Sequence, residues 1–131
     1  MTRSAGAARN RRTILVVDDA PDVRQIHTRY LYRTGMEVYT AENGTVALDA
    51  ARRAVPDVIV TDVDMPVMNG LDLCRQLRAD AATRDVVVVV VTGDATDQAQ
   101  AALDAGCDAV LGKPCSEALL LATIRQLLDG R

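Results

Sequence analysis

The segment that decides the fold is Asp57-Val58-Ile59-Val60-Thr61-Asp62-Val63-Asp64-Met65-Pro66-Val67-Met68-Asn69-Gly70. Its first half is an almost unbroken apolar run, which predicts a short strand covered on both faces. Pro66, Asn69 and Gly70 then prevent the strand from continuing. Asp62 is therefore expected at the tip of the strand, where the carboxyl ends of parallel strands form a ligand-binding crevice. Taken alone, an aspartate in this position also fits a solvated turn.

Three other strand-like runs end in polar residues. The runs at residues 13–17, 86–91 and 109–111 lead to Asp18 and Asp19, to Thr92, and through Gly112 to Lys113. Because parallel strands share a carboxyl edge, we expect these side chains to converge with Asp62. Three carboxylates repel one another unless a hard cation lies between them. An ammonium and a hydroxyl suit phosphoryl oxygens, so the sequence predicts a site for a divalent cation and a phosphoryl group.

The composition is that of an ordinary single globular domain. The chain has 131 residues and 14.1 kDa, with 49% hydrophobic residues, 25% charged residues and a net charge of −3. This negative net charge does not favour binding to nucleic acid. No apolar run is long enough for a membrane span or a signal peptide, so we expect a cytoplasmic protein without membrane contact. Cys74, Cys107 and Cys115 match no zinc pattern and are expected to be reduced.

Five strands alternating with five helices are predicted over residues 13–129. The fold class is therefore α/β, a flavodoxin-like doubly wound (βα)5 fold with a five-stranded parallel sheet and helices on both faces. The second strand is placed at residues 36–40. The helix at residues 96–105 has one large apolar residue, Leu103, and should dock weakly. Residues 1–12 are expected to form a disordered basic extension, either solvated or bound to an anion.

The last helix and the single histidine each leave a question open. In the last helix Leu119 and Leu121 widen the apolar arc, so they either pack on the sheet or cover a partner. The helix should open at Ser116, with Glu117 placed favourably against the helix dipole. His27 is expected to be a partly covered helix residue and not a phosphohistidine or a metal ligand.

The motifs, in this order, resemble the response-regulator receiver domain over residues 13–128. The resemblance rests on Asp18-Asp19, Asp62-Val63-Asp64-Met65-Pro66 with Asn69-Gly70, Thr92 after a valine strand, and Lys113-Pro114. It implies that Asp62 is the phosphoacceptor. It also implies that Thr92 turns toward the acyl phosphate and that Lys113 pairs with the oxygens of that group. Pro66, Gly70 and Pro114 have structural roles in this interpretation.

The same resemblance implies a magnesium site, with Mn²⁺ as a possible substitute. Its ligands would be Asp19, Asp62 and the backbone carbonyl of Asp64, while Asp18 would contribute through a water molecule. Asp64 and Asp94 would lie on the rim of the site and tune the lifetime of the phosphoryl group. One residue departs from the family pattern: Val110 occupies the position of the usual aromatic switch residue, and a valine has little rotameric freedom. Signalling is therefore expected to use Thr92 and the loop and helix that follow it.

The resemblance implies a phosphoacceptor that is not a turnover enzyme on a free substrate. Its donor would be a sensor histidine kinase or a histidine phosphotransfer protein. Its output would be a downstream protein or a homodimer, through the last two helices and last strand. No direct DNA binding is expected, because the net charge is negative. The alternatives are a phosphorylation-independent receiver-like interaction module and, remotely, a haloacid-dehalogenase-type phosphatase, since Asp62 and Asp64 have the spacing of its nucleophile and general acid.

Overall fold

Strands and helices alternate strictly along the chain in the computed structural model, which describes residues 11–130. They are β1 (Thr13–Val17), α1 (Pro21–Arg33), β2 (Glu37–Ala41), α2 (Gly44–Arg53), β3 (Val58–Asp62), α3 (Gly70–Ala79), β4 (Val87–Thr92), α4 (Ala95–Ala105), β5 (Ala109–Gly112) and α5 (Glu117–Asp129). The strands form one parallel sheet in the order β2-β1-β3-β4-β5. The predicted flavodoxin-like (βα)5 fold is confirmed.

The sheet separates two hydrophobic cores. Successive side chains of a strand point to opposite faces. Ile59 and Val88 therefore pack with residues of α2, α3 and α4, whereas Val58 and Val89 pack with residues of α1 and α5. Every residue of β3 and β4 is buried. This explains why the two strands are apolar up to their ends, where Thr61, Asp62 and Thr92 are the polar residues.

Several element boundaries differ from the sequence-based expectation by one residue. β2 begins at Glu37, not Met36, because Glu37 is the residue paired with Thr13 of β1. β4 runs from Val87 to Thr92 and not over residues 86–91, and Thr92 pairs with Gly112 of β5. α4 begins at Ala95 and not at residue 96. Strand limits follow from the pairing register, which apolar character alone does not specify.

The two C-terminal helices bury different amounts of surface. On α4 only Ala102 and Ala105 are buried, and Leu103 is 50% exposed, so this helix is held by small side chains. On α5 Leu121 packs into the core, while Leu119 is 51% exposed. The open question about the wide apolar arc is thus answered for Leu121, which contacts the sheet side.

The three cysteines are free thiols, as predicted. Cys74 and Cys107 are buried, and this burial raises their pKa values to about 11 and about 12. Cys115 is partly exposed, and burial raises the pKa of its thiol less strongly. The buried thiols thus stay protonated near neutral pH and act as small apolar side chains.

Most of the predicted basic extension lies outside the described residues. Arg12 is described, and its carbonyl accepts a hydrogen bond of 2.9 Å from the backbone N–H of Glu37. The parallel pairing of β1 and β2 therefore extends one residue before β1. No helix among residues 11–130 has the length and apolar character to cross a lipid bilayer.

Candidate functional site

The carboxyl ends of β1 and β3 bring three aspartates together. Carboxylate oxygens of Asp18, Asp19 and Asp62 all lie within 4.8 Å of one another. Asp18 and Asp62 are only 4% and 6% exposed, whereas Asp19 is exposed. Hard divalent cations prefer such groups of oxygen ligands, and a cation here would offset the mutual repulsion of the carboxylates. The acids expected to converge from the sequence do converge.

Backbone N–H groups bond the two buried carboxylates, and an arginine side chain bonds the backbone carbonyl of Asp18. The N–H of Ala20 donates to Oδ1 of Asp18 at 2.9 Å, and Nη1 of Arg24 donates to the Asp18 carbonyl at 2.7 Å. The N–H of Asp64 donates to Oδ1 of Asp62 at 3.3 Å. These contacts hold the carboxylates at the sheet edge. The Arg24 contact has no signal in the sequence, since an arginine in a helix normally indicates an exposed face.

Lys113 completes the charged cluster from the loop after β5. Its Nζ lies 3.3 Å from Oδ1 of Asp62 and 3.8 Å from Oδ2 of Asp18. Its backbone N–H donates to the carbonyl of Thr92 at 2.8 Å, and the peptide bond to Pro114 is cis. The ammonium is thus anchored next to the carboxylate that the sequence singled out.

Opposing effects act on the protonation of Asp62. Burial raises the pKa of its carboxyl group. The positive charge of Lys113 lowers that pKa, the negative charge of Asp18 raises it, and the Asp64 N–H lowers it. The net result is a raised pKa. Asp62 is therefore a carboxylate whose charge is poorly solvated, and an added cation would favour the ionised form.

Thr92 is the last residue of β4, the strand next to β3 in the sheet. It is fully buried, and its Oγ1 accepts a hydrogen bond of 3.1 Å from the N–H of Asp94. The hydroxyl thus supports the start of the loop before α4. Asp64 and Asp94 are both exposed. Val110 is half-buried in β5, opposite Val90 of β4.

The loop after β3 is closely packed against the strand that carries Asp62. The Gly70 N–H donates to the Val63 carbonyl at 2.9 Å. A Cβ at position 70 would lie 2.2 Å from the Asp62 carbonyl oxygen, so only glycine fits. At the apex, the Met68 N–H donates to the Pro66 carbonyl at 2.8 Å around Val67, whose φ is 70°. Val67 is thus the centre of a strained γ-turn, and it is 98% exposed. The sequence pattern did not predict this turn.

A contact between His27 and Glu117 ties α1 to the start of α5. Nδ1 of His27 lies 2.7 Å from Oε1 of Glu117, and His27 is 7% exposed. The expectation of a partly covered His27 was wrong, because this partner in α5 allows the imidazole to be buried. Glu117 therefore contacts His27 in addition to its predicted interaction with the helix dipole. Ser116 caps α5 as expected, with Oγ accepting the Leu119 N–H at 3.0 Å.

The fold and the cluster define a class: a doubly wound α/β domain with an acidic, lysine-containing site at the carboxyl edge of its sheet. A sequence model of the response regulator receiver domain matches residues 14–125. The chain belongs to the response-regulator receiver domain family of two-component signalling.

Curated relatives include the response regulators MprA of Mycobacterium sp. (strain KMS) and of Mycobacterium leprae (strain TN). Each is 43% identical over 116 residues, which is 88% of this chain and 50% of the relative. The chain thus spans about half the length of these relatives.

Solved receiver structures have the same fold. The chemotaxis protein CheY4 of Vibrio cholerae has a TM-score of 0.84 at 32% identity, covering 88% of this chain and 98% of its own. The receiver domain of the sensor histidine kinase PA1611 from Pseudomonas aeruginosa has a TM-score of 0.85 at 28% identity, covering 91% and 98%. That structure is described with a magnesium ion coordinated in the active-site cleft.

Proposed function

We propose that this receiver domain accepts a phosphoryl group on Asp62 from a phosphohistidine of a histidine kinase or a histidine phosphotransfer protein. A carboxylate oxygen of Asp62 attacks phosphorus, the bond between phosphorus and the histidine nitrogen breaks, and an aspartyl phosphate forms. The observation that carries this proposal is the position of Lys113, 3.3 Å from the Asp62 carboxylate at the open edge of the sheet. Catalysis of this transfer is mainly positioning and charge stabilisation.

The acidic cluster fits Mg²⁺, with Mn²⁺ as a substitute. Carboxylate and carbonyl oxygens are the ligands these ions take. Asp19 and Asp62 would bind the ion directly together with the carbonyl of Asp64, and Asp18 would act through a water molecule. The bound ion would draw charge from the transferring group. Lys113 would neutralise another phosphoryl oxygen, for which its Nζ is already placed.

Phosphorylation would change the contacts of Thr92. The new group adds negative charge and acceptor oxygens beside the end of β4. The hydroxyl of Thr92, now bonded to the N–H of Asp94, would turn toward these oxygens. This rearrangement would displace the loop and α4, which buries only two alanines. Val110 has no aromatic ring to report the change, so the response would be carried by the backbone.

The output would be a contact with another protein, or a homodimer, through α4, β5 and α5. The absence of direct DNA binding and the cytoplasmic location stay predictions, as does the absence of turnover on a free substrate. Neither alternative function is favoured. The acid, threonine and lysine set is complete, which argues against an interaction module without phosphorylation. Asp62 lies on the third strand, whereas haloacid-dehalogenase-type enzymes have the similar motif on their first strand.

Intact-protein mass spectrometry after incubation with Mg²⁺ and acetyl phosphate tests the proposal. We expect a single phosphoryl adduct on the wild type, and no adduct with EDTA or in Asp62→Asn. Asp64→Asn is the matched control, because it removes an exposed carboxylate and keeps the backbone carbonyl of residue 64. This variant should still form the adduct. A persistent adduct on Asp62→Asn would contradict the assignment. Absence of an adduct together with no Mg²⁺ binding would support the interaction module instead.

A further inference from the structure

A small cavity lies at the edge of the sheet opposite Asp62. It has a volume of about 200 Å³. Its walls come from the lead-in to β1, the turn between α1 and β2, and the last turns of α5. They are formed by Arg11, Arg12, Thr34, Gly35, Met36, Ile124, Arg125 and Leu128. Two parts of the sequence more than a hundred residues apart thus place arginines around one cavity.

The three arginines of this cavity have no acidic partner in the described part of the chain. Ion pairs between residues 11 and 130 involve other arginines, such as Arg52 with Asp80 and Arg53 with Asp49, each at 2.9 Å. The guanidinium groups of Arg11, Arg12 and Arg125 take part in none of these pairs. Like charges grouped without a counter-charge favour a bound anion. The chain as a whole has a net charge of −3, so this positive surface is local.

The nearby helix ends do not use these arginines either. At the end of α1, the N–H groups of Thr34 and Gly35 donate to the carbonyls of Leu31 and Tyr32. At the end of α5, the N–H of Gly130 donates to the Gln126 carbonyl at 3.1 Å. Backbone groups therefore cap both helices, and within residues 11–130 no side-chain hydrogen bond occupies the three guanidinium groups. All three arginines are exposed, so their guanidinium donors can be offered to a ligand.

The floor of the cavity is apolar. Met36, Ile124 and Leu128 are 7%, 0% and 5% exposed and belong to the core between the sheet and the pair α1 and α5. A ligand that fits the cavity thus needs an anionic group for the arginines and a small apolar group for the exposed edges of Met36 and Leu128, while Ile124 lies fully buried beneath them.

We propose that this cavity binds a small organic phosphate, a function separate from the acceptance of a phosphoryl group on Asp62. A terminal phosphate has three oxygens and close to two negative charges at neutral pH. It therefore matches three guanidinium groups better than a carboxylate, which has two oxygens and one charge. The volume suits a single ring or a short aliphatic group next to the phosphate and is below the size typical of sites for drug-sized ligands.

Binding can be measured on the intact chain by NMR with phenyl phosphate as the probe. The titration is done in EDTA, so that no divalent ion recruits phosphate to the acidic cluster. We expect saturable shifts of the Gly35, Met36 and Leu128 amides with a Kd below about 1 mM. Inorganic phosphate should bind at least about fivefold more weakly, since it cannot contact the floor.

Two variants with the same charge change separate this site from general electrostatics. Arg125→Gln should weaken phenyl phosphate binding about tenfold, because a charge-assisted hydrogen bond is lost. Arg75→Gln, at an exposed position on α3, should leave the affinity unchanged. Equal losses in both variants, shifts centred on Asp62 and Lys113, or no saturation up to about 10 mM would overturn the proposal. Equal affinity for inorganic phosphate would overturn the assignment of an organic phosphate.

Discussion

Nζ of Lys113 lies 3.3 Å from Oδ1 of Asp62. This contact is formed although Lys113 follows β5 and Asp62 ends β3, and these two strands are not neighbours in the sheet. Lys113 is in addition held through its backbone, which donates to the Thr92 carbonyl of the intervening strand β4. The ammonium therefore balances part of the acidic cluster in the unphosphorylated state, and it is placed to contact a phosphoryl group later.

Replacement of this lysine should have opposite effects on phosphorylation and on metal binding. In Lys113→Gln the initial rate of adduct formation with acetyl phosphate should fall by about ten- to a hundredfold, because a charge-assisted hydrogen bond of about 1.5–3 kcal/mol is lost. Mg²⁺ should bind more tightly, because a cation next to the carboxylates is removed. Mass spectrometry and calorimetry measure the two effects. Lys113→Arg keeps the positive charge and should bind Mg²⁺ as the wild type does. Equally weakened Mg²⁺ binding in Lys113→Gln and Lys113→Arg would contradict this account.

Gly70 should be intolerant of any side chain. In Gly70→Ala the new Cβ would meet the Asp62 carbonyl oxygen at 2.2 Å, so the loop or the strand must move. We expect a loss of about 3 kcal/mol in the free energy of unfolding, at the upper end of overpacking effects. Urea denaturation measures this loss. Gly93→Ala is the control, since a Cβ there has no neighbour within 4 Å; a similar loss in both variants would refute the steric explanation.

How much could be predicted from the sequence depends on whether the signal is local. The apolar runs ending in Asp62, Thr92 and Lys113 were sufficient to predict the parallel sheet and the convergence of its polar ends, because parallel strands share one carboxyl edge. The contact of Arg24 with the Asp18 carbonyl and the pair of His27 with Glu117 depend on packing between elements. No pattern along the chain encodes such contacts.

Val67 should be a site where glycine stabilises the fold. Its φ of 70° is unfavourable for a residue with a Cβ, and its side chain is 98% exposed. Val67→Gly should therefore unfold with a free energy about 1 kcal/mol higher than Val67→Ala, which keeps the strained Cβ. Chemical denaturation of the two variants gives this difference directly. Equal stability would mean that the turn relaxes at little cost.

Arg78 should be the arginine that contributes most to stability. Its Nε donates to the Gly106 carbonyl at 2.9 Å, and its Nη1 donates to the carbonyls of Arg84 and Val86 at 2.9 and 2.6 Å. Its Nη2 pairs with Oδ2 of Asp108 at 3.0 Å. A lysine ammonium cannot reach these acceptors from one position. Arg78→Lys should therefore lower the free energy of unfolding by about 2–4 kcal/mol.

The matched control for Arg78 is another arginine on the same helix. Arg75 has a single exposed contact with Asp72 at 3.0 Å, and such pairs contribute little. Arg75→Lys should change the free energy of unfolding by less than about 0.5 kcal/mol. If both variants were equally stable by urea denaturation, the contacts of Arg78 would be of no energetic consequence.

Replacement of Thr92 should leave phosphorylation of Asp62 largely intact and abolish the structural response to it. In Thr92→Ala the carboxylates and Lys113 remain, so adduct formation should stay within about threefold of wild type. The displacement of α4 should be lost, because no hydroxyl remains to turn toward the new oxygens. Amide shifts of α4 before and after phosphorylation measure this response. Thr92→Ser restores the hydroxyl and should restore the shifts, although it also lacks the buried methyl group. A full response in Thr92→Ala would mean that the signal reaches α4 through Lys113, whose N–H is bonded to the carbonyl of residue 92.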